Sequence, residues 1–290
     1  LADGTDSRID LSSLMFVTPT IFSSVTVSNG GQIAAANLTT LSKTSLTLGN
    51  TGSLPTAQIT ALTGGSLTTS QTADFSGLAD ISGTSLTVQG GATLSLPAVQ
   101  HYDGQNAAAL LLAQGAGSVL DLPQVTQLDG SSHEIGLRIQ ALNGGLVDLG
   151  SVPQITERKV GFLADGTDSR IDLSSLLFVT PTVFSSVTVS NGGQIAAANL
   201  TTLNKTSLTL GNTGSLPTAQ ITALTAGSLT TGQTTDFSGL ADISGTSLTV
   251  QAGATLSLPA VGNYDGRDAA ALLLAQGAGS VLDLPQVTQL

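Results

Sequence analysis

The feature that most constrains this chain is a long internal repeat. Residues 1–128 recur as residues 163–290, an offset of 162 positions, with eleven differences. The differences are mild: Met15 corresponds to Leu177 and Ile21 to Val183. Near-identical tandem units predict a repeat architecture, in which each unit contacts mainly its neighbours along the chain.

Each long unit has a shorter period of about 23 residues. Apolar strand starts, usually of the form apolar-x-apolar, are spaced 19 to 27 residues apart until residue 171, where the long unit begins again. The seven starts of the first unit are Ile9, Ile33, Leu54, Phe75, Leu94, Leu120 and Val147. The six starts of the second unit are Ile171, Ile195, Leu216, Phe237, Leu256 and Leu282. The sequence therefore predicts about thirteen coils, of which the last is truncated.

Within a coil, apolar and polar residues alternate with a period of two. This pattern, typical of half-buried strands, is clear in residues 120–122 and again in a second segment such as residues 85–88. An apolar-x-x-apolar pair, for example Leu38 and Leu41, separates the two segments and is interpreted as a corner. Each coil is thus predicted to contain two strands and a corner.

Stacked coils of this kind make an all-β parallel β-helix, or β-solenoid. We expect residues 1–290 to form one continuous solenoid, with residues 1–162 as the first tandem unit and 163–290 as a second, truncated one. Thirteen coils at a strand spacing of about 4.8 Å give a rod on the order of 60 Å long. The main alternative is a leucine-rich-repeat horseshoe, but no helical stripe accompanies the strands. Residues 107–112 could be helical by propensity, although the strand pattern covers Leu110 to Leu112.

Composition excludes several classes of partner. The chain has 19 acidic and 8 basic residues, a formal net charge of −11, and no Cys or Trp. A nucleic-acid partner would require a basic surface, and so would an anionic lipid surface. No apolar run approaches the roughly 20 residues of a membrane helix, so membrane insertion is not expected. The absence of Cys excludes disulfides and thiolate metal sites.

The Gly-Ala-Thr-Leu-Ser-Leu-Pro-Ala-Val run (91–99), the Ser-Leu-Thr-Val segments and the tandem units together resemble the β-strand repeat regions of very large bacterial surface or secreted, adhesin-like proteins. The resemblance implies an extracellular adhesin, stalk or envelope fibre at the bacterial cell surface, and it carries no catalytic residues. The calcium-binding Gly-Gly-x-Gly-x-Asp signature of toxin-type β-rolls is absent, so the metal ligands of that family are not transferred.

The residues that could carry catalysis are few. His101 becomes Asn263 in the second copy, and His133 lies in the 129–134 loop, so both are interpreted as solvated loop residues. Two tyrosines and no Trp offer little stacking surface for sugars. We therefore expect no enzyme activity, no catalytic residues and no organic cofactor; a polysaccharide lyase or hydrolase is the less favoured reading.

Aspartates form the one candidate metal site. The outward residue after the strand start is Asp121, Asp148 and Asp172 in three consecutive coils, which predicts a ladder of like charges. Either solvent screens these carboxylates, or Arg170 neutralises them, or they bind a hard cation such as Ca²⁺. Asp165 and Asp168 precede the last rung and could contribute.

Ser and Thr form a second ladder on the outer face of the second strand. Four successive coils present Ser24/Thr26, Ser45/Thr47, Ser66/Thr68 and Ser85/Thr87. The ladder is expected to break at Leu111 and Arg138 and to resume at Thr188. A flat Thr array is compatible with ice binding, although Thr also favours strands for its own packing reasons.

These observations favour a structural and interaction protein, a rigid extracellular rod for surface display, adhesion or envelope and matrix assembly. The alternative is a ligand-binding solenoid that recognises ice or glycans. Expected partners are further copies or neighbouring repeats, associated end to end, and surface glycans. Neither end shows a polar cap, so we expect either that the native chain continues at both ends or that copies stack end to end.

Overall fold

The computed structural model describes residues 1–266 and 271–289, and it is a parallel β-solenoid of about twelve turns. Every described residue in regular structure is in a strand or bridge, and none is in a helix. The β-solenoid prediction is confirmed, and the horseshoe alternative is excluded for the described residues. Leu110 to Leu112 lie in a strand, as the alternation pattern favoured.

The described strands are short and are numbered in chain order. They are β1 (Ala2–Asp3), β2 (Arg8–Asp10), β3 (Phe16–Val17), β4 (Ser23–Ser28), β5 (Gln32–Ala34), β6 (Thr40–Ser42), β7 (Thr44–Leu48), β8 (Ala61–Thr63), β9 (Ser66–Thr69), β10 (Ser85–Gln89), β11 (Thr93–Ser95), β12 (His101–Asp103), β13 (Leu110–Gln114), β14 (Val119–Asp121), β15 (Gln127–Asp129), β16 (Leu137–Leu142), β17 (Leu146–Asp148), β18 (Gln154–Ile155), β19 (Val160–Asp165), β20 (Arg170–Asp172), β21 (Phe178–Val179), β22 (Ser185–Ser190), β23 (Gln194–Ala196), β24 (Thr202–Asn204), β25 (Thr206–Leu210), β26 (Ala223–Thr225), β27 (Ser228–Thr231), β28 (Ser247–Gln251), β29 (Thr255–Ser257), β30 (Leu273–Gln276) and β31 (Val281–Asp283).

One sheet, called here the long sheet, runs through the described chain. Its thirteen strands follow the order β1-β4-β7-β9-β10-β13-β16-β19-β22-β25-β27-β28-β30, and every pairing in it is parallel. Each strand belongs to the next coil, so the sheet has twelve coil-to-coil steps. The boundary between the tandem units falls inside β19, which pairs in register with β16 on one side and with β22 on the other.

The coil has three sides, whereas the sequence pattern predicted two strands and a corner. The strand starts form the start side, with sheets β2-β5, β11-β14-β17-β20-β23 and β29-β31. The predicted corner contains a third set of short strands, the corner side, with sheets β3-β6-β8, β12-β15 and β18-β21-β24-β26. The second residue of some apolar-x-x-apolar pairs, such as Leu41 or Leu128, is the buried centre of one of these strands. The two-strand prediction was therefore wrong.

The predicted strand starts do stack in the interior. Ile9 pairs with Ile33, and the run of Leu94, Leu120 and Val147 pairs coil by coil. The last three are fully buried, Phe75 and Ile33 are nearly so, and Ile9 and Leu54 are partly buried against the core. Apolar residues from all three sides fill the space between them, so one elongated core runs the length of the described chain.

Sequence drift between the two copies is confined to the surface. All eleven positions at which the copies differ are exposed or partly exposed in the first copy, and no fully buried position differs. Buried side chains in a close-packed interior tolerate volume changes poorly. The core of each copy is consequently the same, and only solvent-facing positions distinguish them.

Tyr102 gives a testable property of this core. Its side chain is fully buried, and the phenol donates a hydrogen bond of 2.9 Å to the backbone carbonyl oxygen of Thr84. Burial, with a smaller contribution from the charge of Asp103, raises the pKa of Tyr102 well above its ordinary value of 10.0. Above about pH 10 the unfolded chain therefore releases a phenol proton that the folded chain retains.

We expect the free energy of unfolding to fall as the pH rises above about 10, and to be insensitive to this group below that value. Tyr102→Phe should lower stability at neutral pH by about 1–3 kcal/mol, because a buried carbonyl loses its partner. It should also flatten the alkaline decline. Urea denaturation of both proteins at about pH 8 and about pH 11 measures both effects; an equally steep decline in the variant would contradict the assignment.

Candidate functional site

The three predicted ladder aspartates occupy adjacent positions on the start side. Asp121 pairs in register with Asp148, and Asp148 pairs with Asp172. On the coils that flank these three, Ser95 pairs with Asp121 and Ala196 pairs with Asp172. The carboxylate ladder, defined by these three aspartates, therefore spans three coils across the joint between the tandem units, as the sequence predicted.

Each carboxylate of the ladder has a partner of its own. Arg170 Nη2 lies 2.6 Å from Asp172 Oδ2, an ion pair that reduces the like-charge repulsion at one end. At the other end, the Ser95 hydroxyl donates to Asp121 Oδ2 at 2.6 Å. The backbone N–H of Gly150 donates to Asp148 Oδ1 at 2.9 Å. The neutralising role suggested for Arg170 thus has a geometric basis.

Asp165 lies apart from the ladder. It is in β19 of the long sheet, where its Oδ1 accepts hydrogen bonds from Ser190 Oγ and Asn191 Nδ2 at 2.6 and 2.7 Å. Asp168 lies in the following turn with a left-handed backbone, φ 62°. In the part of the chain that the structure describes, no group of three or more His, Asp or Glu side chains is arranged to hold a metal ion.

Calcium binding to the carboxylate ladder stays a prediction. Thermal unfolding with and without Ca²⁺ tests it directly. An ion bridging Asp121, Asp148 and Asp172 is expected to raise the midpoint of thermal unfolding in millimolar Ca²⁺, because it removes repulsion between adjacent strands. Asp148→Asn should abolish that response while retaining the hydrogen bond to Gly150. Equal midpoints with Ca²⁺ and with chelator, in both proteins, would leave the ladder as a solvated acidic stripe paired to Arg170.

The outer face of the long sheet carries the Ser and Thr rows. The rows are in register over four coils: Ser24, Ser45, Ser66 and Ser85 in one, and Thr26, Thr47, Thr68 and Thr87 in the other. Neighbouring hydroxyls interact, as Ser66 Oγ donates to Ser45 Oγ at 2.9 Å. The rows resume at Ser186 and Thr188. The alignment of both rows is as predicted.

The interruption of these rows differs in part from the expectation. Leu111 pairs with Leu86 and is fully buried, so it belongs to the core. The Thr row is interrupted instead at Leu112, Gln140 and Leu163. Arg138 does interrupt the Ser row, together with Leu110 and Gly161. The hydroxyl face is therefore broken over three consecutive coils.

A depression lies within this break, on the outer face of β16, β19 and β22. It has a volume of about 440 Å³ and is called here the Arg138 depression. It is lined by two cations, by small or polar residues and by apolar residues, namely Arg138, Lys159, Gln140, Gly161, Ser186, Thr188, Ile135, Leu163 and Phe162. The Phe162 side chain itself is buried in the core. The sequence pattern marks Arg138 only as a break in the ladder and does not predict a depression beside it.

Exposed apolar side chains recur at the same place in both copies. Before the long-sheet strand, Ile21 and Phe22 in the first copy are 77% and 73% exposed, and Val183 and Phe184 in the second are 53% and 59% exposed. The one substitution within this pair replaces Ile by Val, so the surface stays apolar while it drifts. Within the described residues, these four side chains stay more than half exposed.

The two histidines are solvent-facing. His101 Nε2 lies 2.9 Å from Asp129 Oδ2 on the corner side, with the His101 side chain 44% exposed. His133 Nδ1 accepts a hydrogen bond from the backbone N–H of Ile135 at 3.2 Å, which fixes the loop before β16. Both arrangements are compatible with structural roles in surface loops.

No helix in residues 1–266 and 271–289 has the length and apolar character needed to cross a membrane. Comparison with protein-family models, with curated proteins and with solved structures gives no match to this chain.

Proposed function

We propose that this protein is a structural rod that spaces or displays neighbouring parts of an assembly outside the cell. The observation that carries the proposal is the long sheet, whose thirteen parallel strands continue through the unit joint over one unbroken core. A stack of coils bonded along its whole length resists bending, because deformation would have to break backbone hydrogen bonds in a sheet. Such a rod is suited to keep the neighbouring parts of an assembly at a fixed separation.

The extracellular setting, at a bacterial cell surface, is part of the same proposal. Its support is the resemblance of the tandem units and of the 91–99 run to the repeat regions of adhesin-like surface proteins. End-to-end association, with further copies or with neighbouring repeats of a longer chain, is the proposed mode of assembly, and it would pair the edge strands of two long sheets. Strands at such edges present backbone groups that can pair with another chain.

Two measurements test the proposal. Small-angle X-ray scattering of the full chain should give an elongated particle with twelve coil steps, on the order of 60 Å of rod. Antibodies against the folded chain should label intact cells that produce it, without permeabilisation. A compact scattering profile would contradict the rod, and labelling only after permeabilisation would contradict the surface location.

An enzymatic role has less support. The described side chains provide no paired carboxylates set in a cleft with aromatic walls, and the fully buried Tyr102 cannot stack on a sugar. We propose that the protein does not turn over polysaccharides; product release that is lost on mutation of Asp121 would contradict this. Ice binding is also weakened, because the three-coil break removes the continuous Thr row that a flat ice-binding face would need.

A further inference from the structure

The Arg138 depression is formed by a gap in an otherwise filled row. The Ser row of the long sheet runs through Arg138, Gly161 and Ser186 on successive coils. Gly161 has no side chain, and a Cβ added there would lie 3.0 Å from Ser186 Oγ. Glycine therefore leaves space on the outer face, at a row position that is serine in four successive coils of the first unit.

A loop from the preceding coil closes one wall of the depression. The 129–136 loop is tied to the next coil by an antiparallel bridge between Ser131 and Lys159. The N–H of Leu137 also donates to the Lys159 carbonyl oxygen at 3.0 Å. These backbone contacts hold the Lys159 side chain beside β16, close to Arg138, and place the half-exposed Ile135 on the rim.

The two cations of the depression are not neutralised. Among the described residues, the ion pairs of this chain involve Arg8, His101, Arg158 and Arg170, and none involves Arg138 or Lys159. Lys159 Nζ donates to the Glu134 backbone carbonyl oxygen at 2.7 Å. Arg138 Nε is buried and has no hydrogen-bond partner. In a protein with 19 acidic and 8 basic residues, two neighbouring cations that form no ion pair among the described residues are unexpected.

Arg138 has no carboxylate partner among the described residues, and an anion bound in the depression would supply one. Arginine favours planar carboxylates, because its N–H groups match the two oxygens. The remaining polar groups of the depression are the Gln140 amide and the Ser186 and Thr188 hydroxyls, which suit a ligand rich in hydroxyl groups. Leu163 adds an apolar surface on which the C–H groups of a sugar ring can rest.

We propose that the Arg138 depression binds a sugar acid within an acidic polysaccharide, with the carboxylate held by Arg138 and Lys159. An acidic peptide fits less well, because extended peptides gain affinity by backbone pairing at a sheet edge, and the depression lies on a sheet face. The site stands independently of whether the rod is displayed at a surface. Its failure and the failure of the rod proposal are therefore distinguishable.

The test is a titration of the full chain by isothermal calorimetry, in chelator so that Ca²⁺ cannot bridge the polysaccharide to the carboxylate ladder. The probe is an oligogalacturonate, compared with a neutral galactose oligomer of the same length and with oligo-aspartate. The uronate should bind at least about tenfold more tightly than either of the other two. Equal binding of the neutral oligomer would overturn the carboxylate assignment, and equal or tighter binding of oligo-aspartate would overturn the sugar assignment.

Variants localise the site. Arg138→Gln and Lys159→Gln should each weaken uronate binding by about tenfold, a loss typical of one charge-assisted hydrogen bond. Gly161→Val should weaken it as well by filling the depression. The matched controls are Lys43→Gln, which removes the same charge elsewhere, and Ser66→Val, which places the same side chain in the same row; both should bind normally.

Far-UV circular dichroism establishes that each variant keeps the fold. If Gly161→Val fails to fold, the two cation variants decide the question, because both side chains are partly exposed and neither forms an ion pair. Folded cation variants that bind oligogalacturonate as well as the parent would overturn the proposal.

Discussion

Replacing Phe162 with alanine is expected to lower the free energy of unfolding by about 3–5 kcal/mol. Phe162 lies in β19 with 2% of its surface exposed, and it pairs in register with Ile139 on one side and Val187 on the other. Removal of the ring takes apolar surface out of the core and leaves a cavity that the neighbouring coils cannot close, since backbone pairing fixes their spacing. Urea denaturation followed by circular dichroism measures the loss.

The matched control is Phe184→Ala. Phe184 lies just before β22, one coil away, but is 59% exposed. The same change in side chain should alter stability by about 0.5 kcal/mol or less, as for most surface substitutions. Equal losses for the two variants would mean that β19 does not turn Phe162 into the core, and would contradict the register of the long sheet.

Gly145→Ala is expected to cost about 3 kcal/mol, a large effect for one added methyl group. A Cβ at this position would lie 2.1 Å from the carbonyl oxygen of Ala113 in the preceding coil. The obstacle is backbone in a fully paired sheet, so it can be relieved only by displacing β13 or the turn itself. Corresponding turns show the same close approach at Gly31 and Gly193.

Gly262→Ala provides the comparison for this second prediction. Among the described residues, no heavy atom lies within 4 Å of a Cβ built on Gly262. Alanine there should leave the midpoint of thermal unfolding unchanged or raise it slightly, because it restricts the unfolded chain. A loss at Gly262 comparable to that at Gly145 would show that loss of glycine itself, and not the contact with Ala113, causes the effect.

The sequence was sufficient to predict the solenoid and much of its register. Alternation with a period of two places Leu120 inward and Asp121 outward, and regular spacing brings equivalent residues of successive coils together. The ladder Asp121–Asp148–Asp172 and the Ser and Thr rows follow from these two patterns alone. The ladder and the rows arise because successive coils stack in register and each coil carries the same alternating pattern.

The corner side was missed because its strands are only two or three residues long. A strand such as Thr40–Ser42 contains one buried residue, Leu41, and a single apolar residue between polar ones shows no period. Leu111 was misplaced for a related reason. Three consecutive leucines do not alternate, and an error of one residue in register moves a side chain to the other face of the sheet.

The Arg138 depression could not be predicted either, because it depends on what is absent from a row. Gly161 by itself is an ordinary small residue, and only its pairing with Arg138 on one side and Ser186 on the other reveals the space it leaves. The position of Lys159 depends on the bridge to Ser131 across a loop of irregular sequence. Neither contact has a periodic signal.

The joint between the tandem units has the same parallel, in-register backbone pairing as the other steps of the stack. Val147 of the first unit pairs with Ile171 of the second, and five residues of β19 pair in register with β22. A unit inserted or removed at this point would meet the same partners on both sides, so the change would create no mismatched surface. The length of the rod is then an inherited property that changes in whole units of seven coils, about 33 Å each. The chemistry of every junction stays constant.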